Sequence, residues 1–158
     1  MKIPQSWLNE LAPLPDISDF AKGMTMSGTK VEGLEFIGQN INKIVVGKIL
    51  ELKKHIEADK LLVAKVDIGT SIIQIVTGAT NIKVNDLVPI VLDGGSIADG
   101  SLIKDSKLRG ILSQGMMCSI EELGYTTKEF GCAPEDGIYI FKDDTSIKVG
   151  DNVLSLQY

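Results

Sequence analysis

Residues 41–78 read INKIVVGKILELKKHIEADKLLVAKVDIGTSIIQIVTG, and their periodicity decides the fold. From Ile41 onward, short runs rich in Ile and Val are punctuated by Gly, Asn and Asp, the texture of strands joined by turns. The spacing predicts a first strand over about 43–53, with Gly47 as a bend or bulge. A second covers 61–68, where Leu62, Ala64, Val66 and Ile68 make one face wholly apolar while the other grades from Leu61 and Val63 to Lys65 and Asp67. A third follows Gly69 over 72–77, and a fourth over 87–92 ends in the turn Asp93-Gly94-Gly95. The fifth, near 102–109, points Lys107 and Arg109 to one face and Leu108 to the other. Five short, bent strands fit an OB-like barrel better than a sandwich, which needs about seven. The expected fold class is mainly β, α+β overall: a five-stranded OB-fold barrel with a small N-terminal helical and strand piece.

Before the barrel, residues 1–40 read differently. Ser6 can cap a short helix through Trp7, Leu8 and Leu11 that Pro13 and Pro15 end. A second helix starts at Asp16 or Ser18, places Ile17, Phe20, Ala21 and Met24 on one face and stops at Gly28. A strand with Leu34 and Phe36 as its buried pair follows. The expected domains are therefore 1–40, 41–149 for the barrel, and 150–158 as the start of a return to the N-terminal piece. After the barrel, Ser119 and Glu122 fit a capping box for a short helix closed by Gly124, and strands are expected at 137–141 and 149–156.

Charge narrows the partners. The net charge of −5 argues against nucleic acid taken whole, yet the distribution is uneven. Residues 41–120 carry ten Lys or Arg against eight acids, whereas 121–158 carry three against eight. All eight aromatic residues lie outside 41–120, so base stacking on a barrel face is disfavoured, and RNA recognition through backbone and shape stays open. With one histidine, His55, and only Cys118 and Cys132, no metal site is expected; the cysteines read as free thiols, at least one buried, with a disulfide the alternative. No membrane span or signal peptide is expected, and the expected compartment is the cytoplasm.

Three stretches could carry chemistry. In residues 55–61, HIEADKL, an acid/base pair is conceivable from His55 and the acids, but a charged surface turn is the favoured reading; Lys60, with Lys53 and Lys54, can add to a cationic rim. Residues 77–81, TGATN, lack the Lys-Ser/Thr end of a phosphate loop; Asn81 is a turn former or a polar reader. In residues 104–124, KDSKLRGILSQGMMCSIEELG, Lys107 and Arg109 suit phosphate contact, and Met116, Met117 and Cys118 are read mainly as core.

Together HIEADKL, IVTGATNI at 75–82 and KLRGILSQGMMCSIEELG at 107–124 resemble the OB-fold tRNA-binding domain of aminoacyl-tRNA synthetases and of free-standing tRNA-binding proteins. The leader MKIPQSWLNEL with MTMSGTKVEGLE at 24–35 further resembles the start of bacterial phenylalanyl-tRNA synthetase beta chains. That resemblance implies RNA contact at His55, Lys60, Asn81, Lys107, Arg109, Ser113 and Met116, although the family commonly has proline where Ile56 follows the histidine. It implies tRNA and a synthetase alpha subunit as partners, with no DNA and no membrane. It also implies that ATP and magnesium, the cofactors of the parent complex, act elsewhere, so that this fragment is noncatalytic and holds no cofactor. The alternatives are a free-standing dimeric tRNA-binding or chaperone-like protein, and a scaffold that docks subunits without touching tRNA.

Overall fold

A computed structural model describes residues 3, 5–34, 40–126, 134, 136–141 and 146–155, and the chain divides into two compact units, Met1–Phe36 and Ile37–Tyr158. In the first unit, α1 (Gln5–Leu11) begins one residue before the expected Ser6 cap and ends ahead of Pro13. α2 (Ile17–Met26) begins where Asp16 caps it, the Asp16 carboxylate accepting from the Ser18 N–H at 2.9 Å. Gly28, at φ +107°, takes the chain out of the helix. Residues 31–34 form no strand, contrary to expectation, and Phe36 lies outside the described residues.

The second unit is built from β1 (Asn42–Lys54), β2 (Leu62–Asp67), β3 (Ile72–Thr77), β4 (Leu87–Ser96), β5 (Leu102–Ile103), β6 (Ser106–Leu108), β7 (Ile111–Ser113) and β8 (Met116–Met117). The sheet runs β3-β2-β1-β4-β5, with β8 also on β4 and every pairing antiparallel, while β6 and β7 form a separate hairpin. Its curl brings the free edge of β3 back to the segment entering β8. There the Gln114 N–H donates to the Gln74 carbonyl at 2.8 Å, Gln74 Nε2 donates to the Leu112 carbonyl at 2.8 Å, and the Val76 N–H donates to Ser113 Oγ at 3.0 Å. This is an OB-like curled sheet whose remaining seam is bridged by a loop.

Over residues 44–49 of β1 and 88–91 of β4, the long strands are buried on both faces. Inside the curl, Ile49, Ala64, Val66, Ile75, Val88, Ile90 and Met117 form one cluster. On the outer face of β1 and β4, Ile44, Val46 and Val91 meet Cys118, Ile120, Leu123, Phe141 and Val153. The C-terminal chain thus acts as a cover layer: the Val46 N–H donates to the Asp151 carbonyl at 2.9 Å and the Gly150 N–H to the Val46 carbonyl at 2.8 Å.

Several expectations need correction. Gly47 is neither bend nor bulge, since it pairs with Val88 in regular register. It is glycine because a Cβ there would lie 2.8 Å from Val66 Cγ1 and closer still to Ile90 Cδ1. The register breaks instead between Ile49 and Glu51, and between Asn42 and Ile44. β4 does not end at 92: Ile44 pairs with Val91 and Asn42 with Ser96, so the extra residues between them bulge out at Gly94 (φ +71°) and Gly95. The fifth strand is not 102–109, which breaks between β5 and β6; residues 113–117 close the seam instead. Among the described residues, the strands expected at 137–141 and 149–156 reduce to isolated bridges, Leu87 with Phe141 and Val45 with Asn152, followed by a 3-10 turn at Val153–Ser155, and Leu156 lies outside the described residues.

Because Gly47 faces a filled interior, Gly47→Ala is expected to destabilise the chain by about 1–3 kcal/mol, the usual penalty of overpacking. A urea melt yielding an unchanged midpoint would refute this packing account.

Candidate nucleic-acid interface

Loops at one end of the sheet hold three exposed cations. Lys60 sits in the β1–β2 loop, in a tight turn where the Leu61 N–H donates to the Ala58 carbonyl at 3.0 Å. Across from it, Leu108 pairs with Ile111 around Arg109 and Gly110, whose φ values of +50° and +84° are those of a two-residue type I′ hairpin loop. Lys107 and Arg109 therefore do not share a strand face, correcting the sequence expectation: Lys107 stands in β6 opposite Leu112, and Arg109 occupies the hairpin tip. Both are exposed.

His55 ties these two loops together. It is only 4% exposed. Its Nδ1 accepts from the Glu57 N–H at 3.0 Å, which leaves the proton on Nε2, and Nε2 lies 3.2 Å from the Leu108 carbonyl. The ring is thus a neutral strut between the loop bearing Lys60 and the hairpin bearing Lys107 and Arg109.

The other site residues divide by exposure. Asn81 clamps the tail segment: its amide donates to the Ile138 carbonyl at 2.8 Å, and its oxygen accepts from the Ile138 N–H at 3.1 Å. Ser113, 3% exposed, accepts from Val76 and donates to the Gly115 carbonyl at 3.0 Å. Met116 is half-buried in β8 against the outer cluster. The structure groups Lys60 with Lys107 and Arg109 through His55, while Asn81, Ser113 and Met116 are engaged within the scaffold.

Electrostatics sharpen the division among the lysines. Glu51 holds Lys53 at 2.7 Å and Lys65 at 3.3 Å, and these hydrogen bonds keep its carboxyl below the usual carboxylate range. Among the described residues no carboxylate pairs with Lys54, Lys60, Lys107 or Arg109. Ile56, 92% exposed between His55 and Glu57 where the resembling family commonly has proline, is an apolar group at this edge. Lys54, at the end of β1, completes the set.

No group of three or more His, Cys, Asp or Glu among the described residues is arranged to hold a metal ion, and no helix there is long and apolar enough to cross a membrane. Cys118 is fully buried; Cys132 lies outside the described residues.

Residues 44–144 match the family described as putative tRNA binding domain. The chain is 41% identical over 149 residues to the phenylalanine–tRNA ligase beta subunit of Clostridium acetobutylicum, covering 93% of this chain and 18% of that protein. It is 37% identical over 155 residues to the same subunit of Oceanobacillus iheyensis, covering 97% and 19%. The chain thus spans about a fifth of the length of these curated relatives. A solved MetRS related protein from Pyrococcus horikoshii aligns with a TM-score of 0.47 at 21% identity, over 87% of this chain and 94% of that one.

Burial pushes the Cys118 thiol up to about 12, and the nearby Glu122 carboxylate adds to the rise. An unfolded thiol ionises near 9.0, so the stability tied to the neutral thiol is complete below that pH and is lost as pH climbs toward about 12. In a Cys132→Ser background, Cys118 is expected to resist iodoacetamide at pH 8 until urea unfolds the chain. Rapid alkylation of the folded protein would contradict its burial.

Proposed function

The chain belongs to the putative tRNA-binding domain family, and on that premise we propose that it is the noncatalytic tRNA-binding OB region of a phenylalanine–tRNA ligase beta subunit. The observation that carries the reading is the exposed edge of Lys60, Lys107 and Arg109, with no carboxylate partner among the described residues and held on two tethered loops. Such cations suit phosphates, and an apolar scaffold behind them keeps them in place. The barrel segment carries no aromatic residue between 41 and 120, which favours contact with the backbone and shape of a folded RNA over base stacking.

In the whole protein this region supports ATP-dependent attachment of phenylalanine to its tRNA by gripping the RNA, in the cytoplasm and beside an alpha subunit. ATP and magnesium act on other parts of that complex, and the residues here supply binding alone. Asn81, Ser113 and Met116 serve this role by shaping the loops, since their polar groups or side chains are already engaged.

Lys107→Ala and Arg109→Ala are each expected to lower the log–log slope of tRNA affinity against salt by about 1. The measurement is a fluorescence-anisotropy titration of a phenylalanine tRNA transcript with the 158-residue chain at several salt concentrations. Two slopes indistinguishable from wild type would end the cationic-edge reading.

A further inference from the structure

Among the seven residues that the sequence nominates for RNA contact, His55 is one that contact does not suit. His55 is 4% exposed, and both its ring nitrogens are occupied by backbone groups from different segments. A neutral ring so engaged offers no charge to a phosphate and no free donor to a base. What it does instead follows from where its partners lie. Glu57 is in the same loop as Lys60, and that loop is closed on itself by the His55 N–H donating to the Leu61 carbonyl at 2.9 Å. Leu108, the other partner, sits between Lys107 and Arg109 in sequence and forms the last pair of the hairpin ladder.

No described ion pair joins the two loops, and β6 and β7 pair with each other and not with the main sheet. The hairpin is attached at its base, where Ser113 and Leu112 bond to β3, while the ring of His55 reaches its far end beside the tip. Deleting that ring leaves the tip tethered from one side only.

We infer that His55 is a positioning residue for tRNA binding: its Nε2–H bond to the Leu108 carbonyl holds the hairpin tip in register with the β1–β2 loop, so that Lys60, Lys107 and Arg109 meet the RNA as one pre-arranged cationic edge. This rests on the tRNA-binding reading above. Pre-arrangement matters because each long cationic side chain and each loop ordered on binding subtracts from affinity. A phosphate array presented with fixed spacing is met best by cations whose spacing is fixed beforehand.

The test is a double-mutant cycle on the 158-residue chain, with tRNA affinity read by anisotropy at low salt. In His55→Asn the amide oxygen can still accept from Glu57 but cannot reach Leu108; in His55→Gln the longer amide can donate to Leu108. His55→Asn is expected to weaken binding about fivefold, the order of one net hydrogen bond. Lys60→Ala should cost less in the His55→Asn background than in wild type, and His55→Gln should recover part of both effects. Should His55→Asn be unfolded in a thermal melt, the same cycle run with His55→Gln decides: a Lys60→Ala cost smaller than in the wild-type chain supports the inference, and an equal cost overturns it. Additive His55 and Lys60 effects in a folded His55→Asn chain overturn it equally. Ring nitrogen NMR gives an independent check, with a proton on Nε2 expected and a proton on Nδ1 instead fatal to the geometry. Failure of the wild-type chain to bind tRNA at low salt sinks the tRNA reading itself, whereas wild-type binding with additive mutants sinks only the positioning role.

Discussion

Burial of both faces of β1 is the constraint from which the rest of this structure follows. One face, through Val45, Gly47 and Ile49, lines the inside of the curled sheet, and the other, through Ile44 and Val46, would meet water were it not covered. Apolar strand faces left in solvent are costly at roughly 25 cal/mol per Å². The curl of β2 and β3 answers the first face. The segments around Cys118, Phe141 and Val153 answer the second, and they do so with few regular elements because single bridges and backbone bonds to β1 and β4 suffice.

That arrangement also explains why the candidate interface lies in the loops. Over residues 44–49 both faces of β1 are core, while Lys60, Lys107 and Arg109 stand in water at the loops. Their exposure makes each weak alone, since solvent and salt screen single surface charges. Collective strength then depends on spacing, and the His55 ring is the one described side chain that reaches from the β1–β2 loop to the hairpin backbone.

Much of the sheet was legible before any coordinates. β3 occupies the residues its apolar run predicts, and β2 falls within one residue of its expected bounds, because each is a short β-branched run with polar or glycine-bearing turns beside it. Asp16 and the Ser119–Glu122 pair were legible for a local reason too, capping bonds being made within three residues. In the latter, the Ser119 N–H donates to Glu122 at 2.6 Å, although a turn and not a helix follows. Misreadings came where distant chain intervened. Gly94-Gly95 looks like a stop, but pairing of Ser96 with Asn42 carries β4 through as a bulge. Lys107 and Arg109 look like strand neighbours, but Gly110 next door lets a tight hairpin form and turns Arg109 out at its tip. In the candidate site, the identity of the cations was legible from charge distribution, while the buried roles of His55 and Ser113 were not, because a polar residue in a turn-like string is ordinarily exposed.

By itself, the sequence determined the places of the first four strands, the mainly β class, the segregation of basic residues into 41–120 and the resemblance to tRNA-binding domains, since these rest on local periodicity, composition and motif. Only the tertiary structure decided which segment closes the seam, what covers the outer face of β1, and that His55 is a strut between loops 53 residues apart along the chain. The physical reason is that such bonds depend on where the sheet's curl brings its edges and ends together, a property of all the pairings at once that no window of sequence contains.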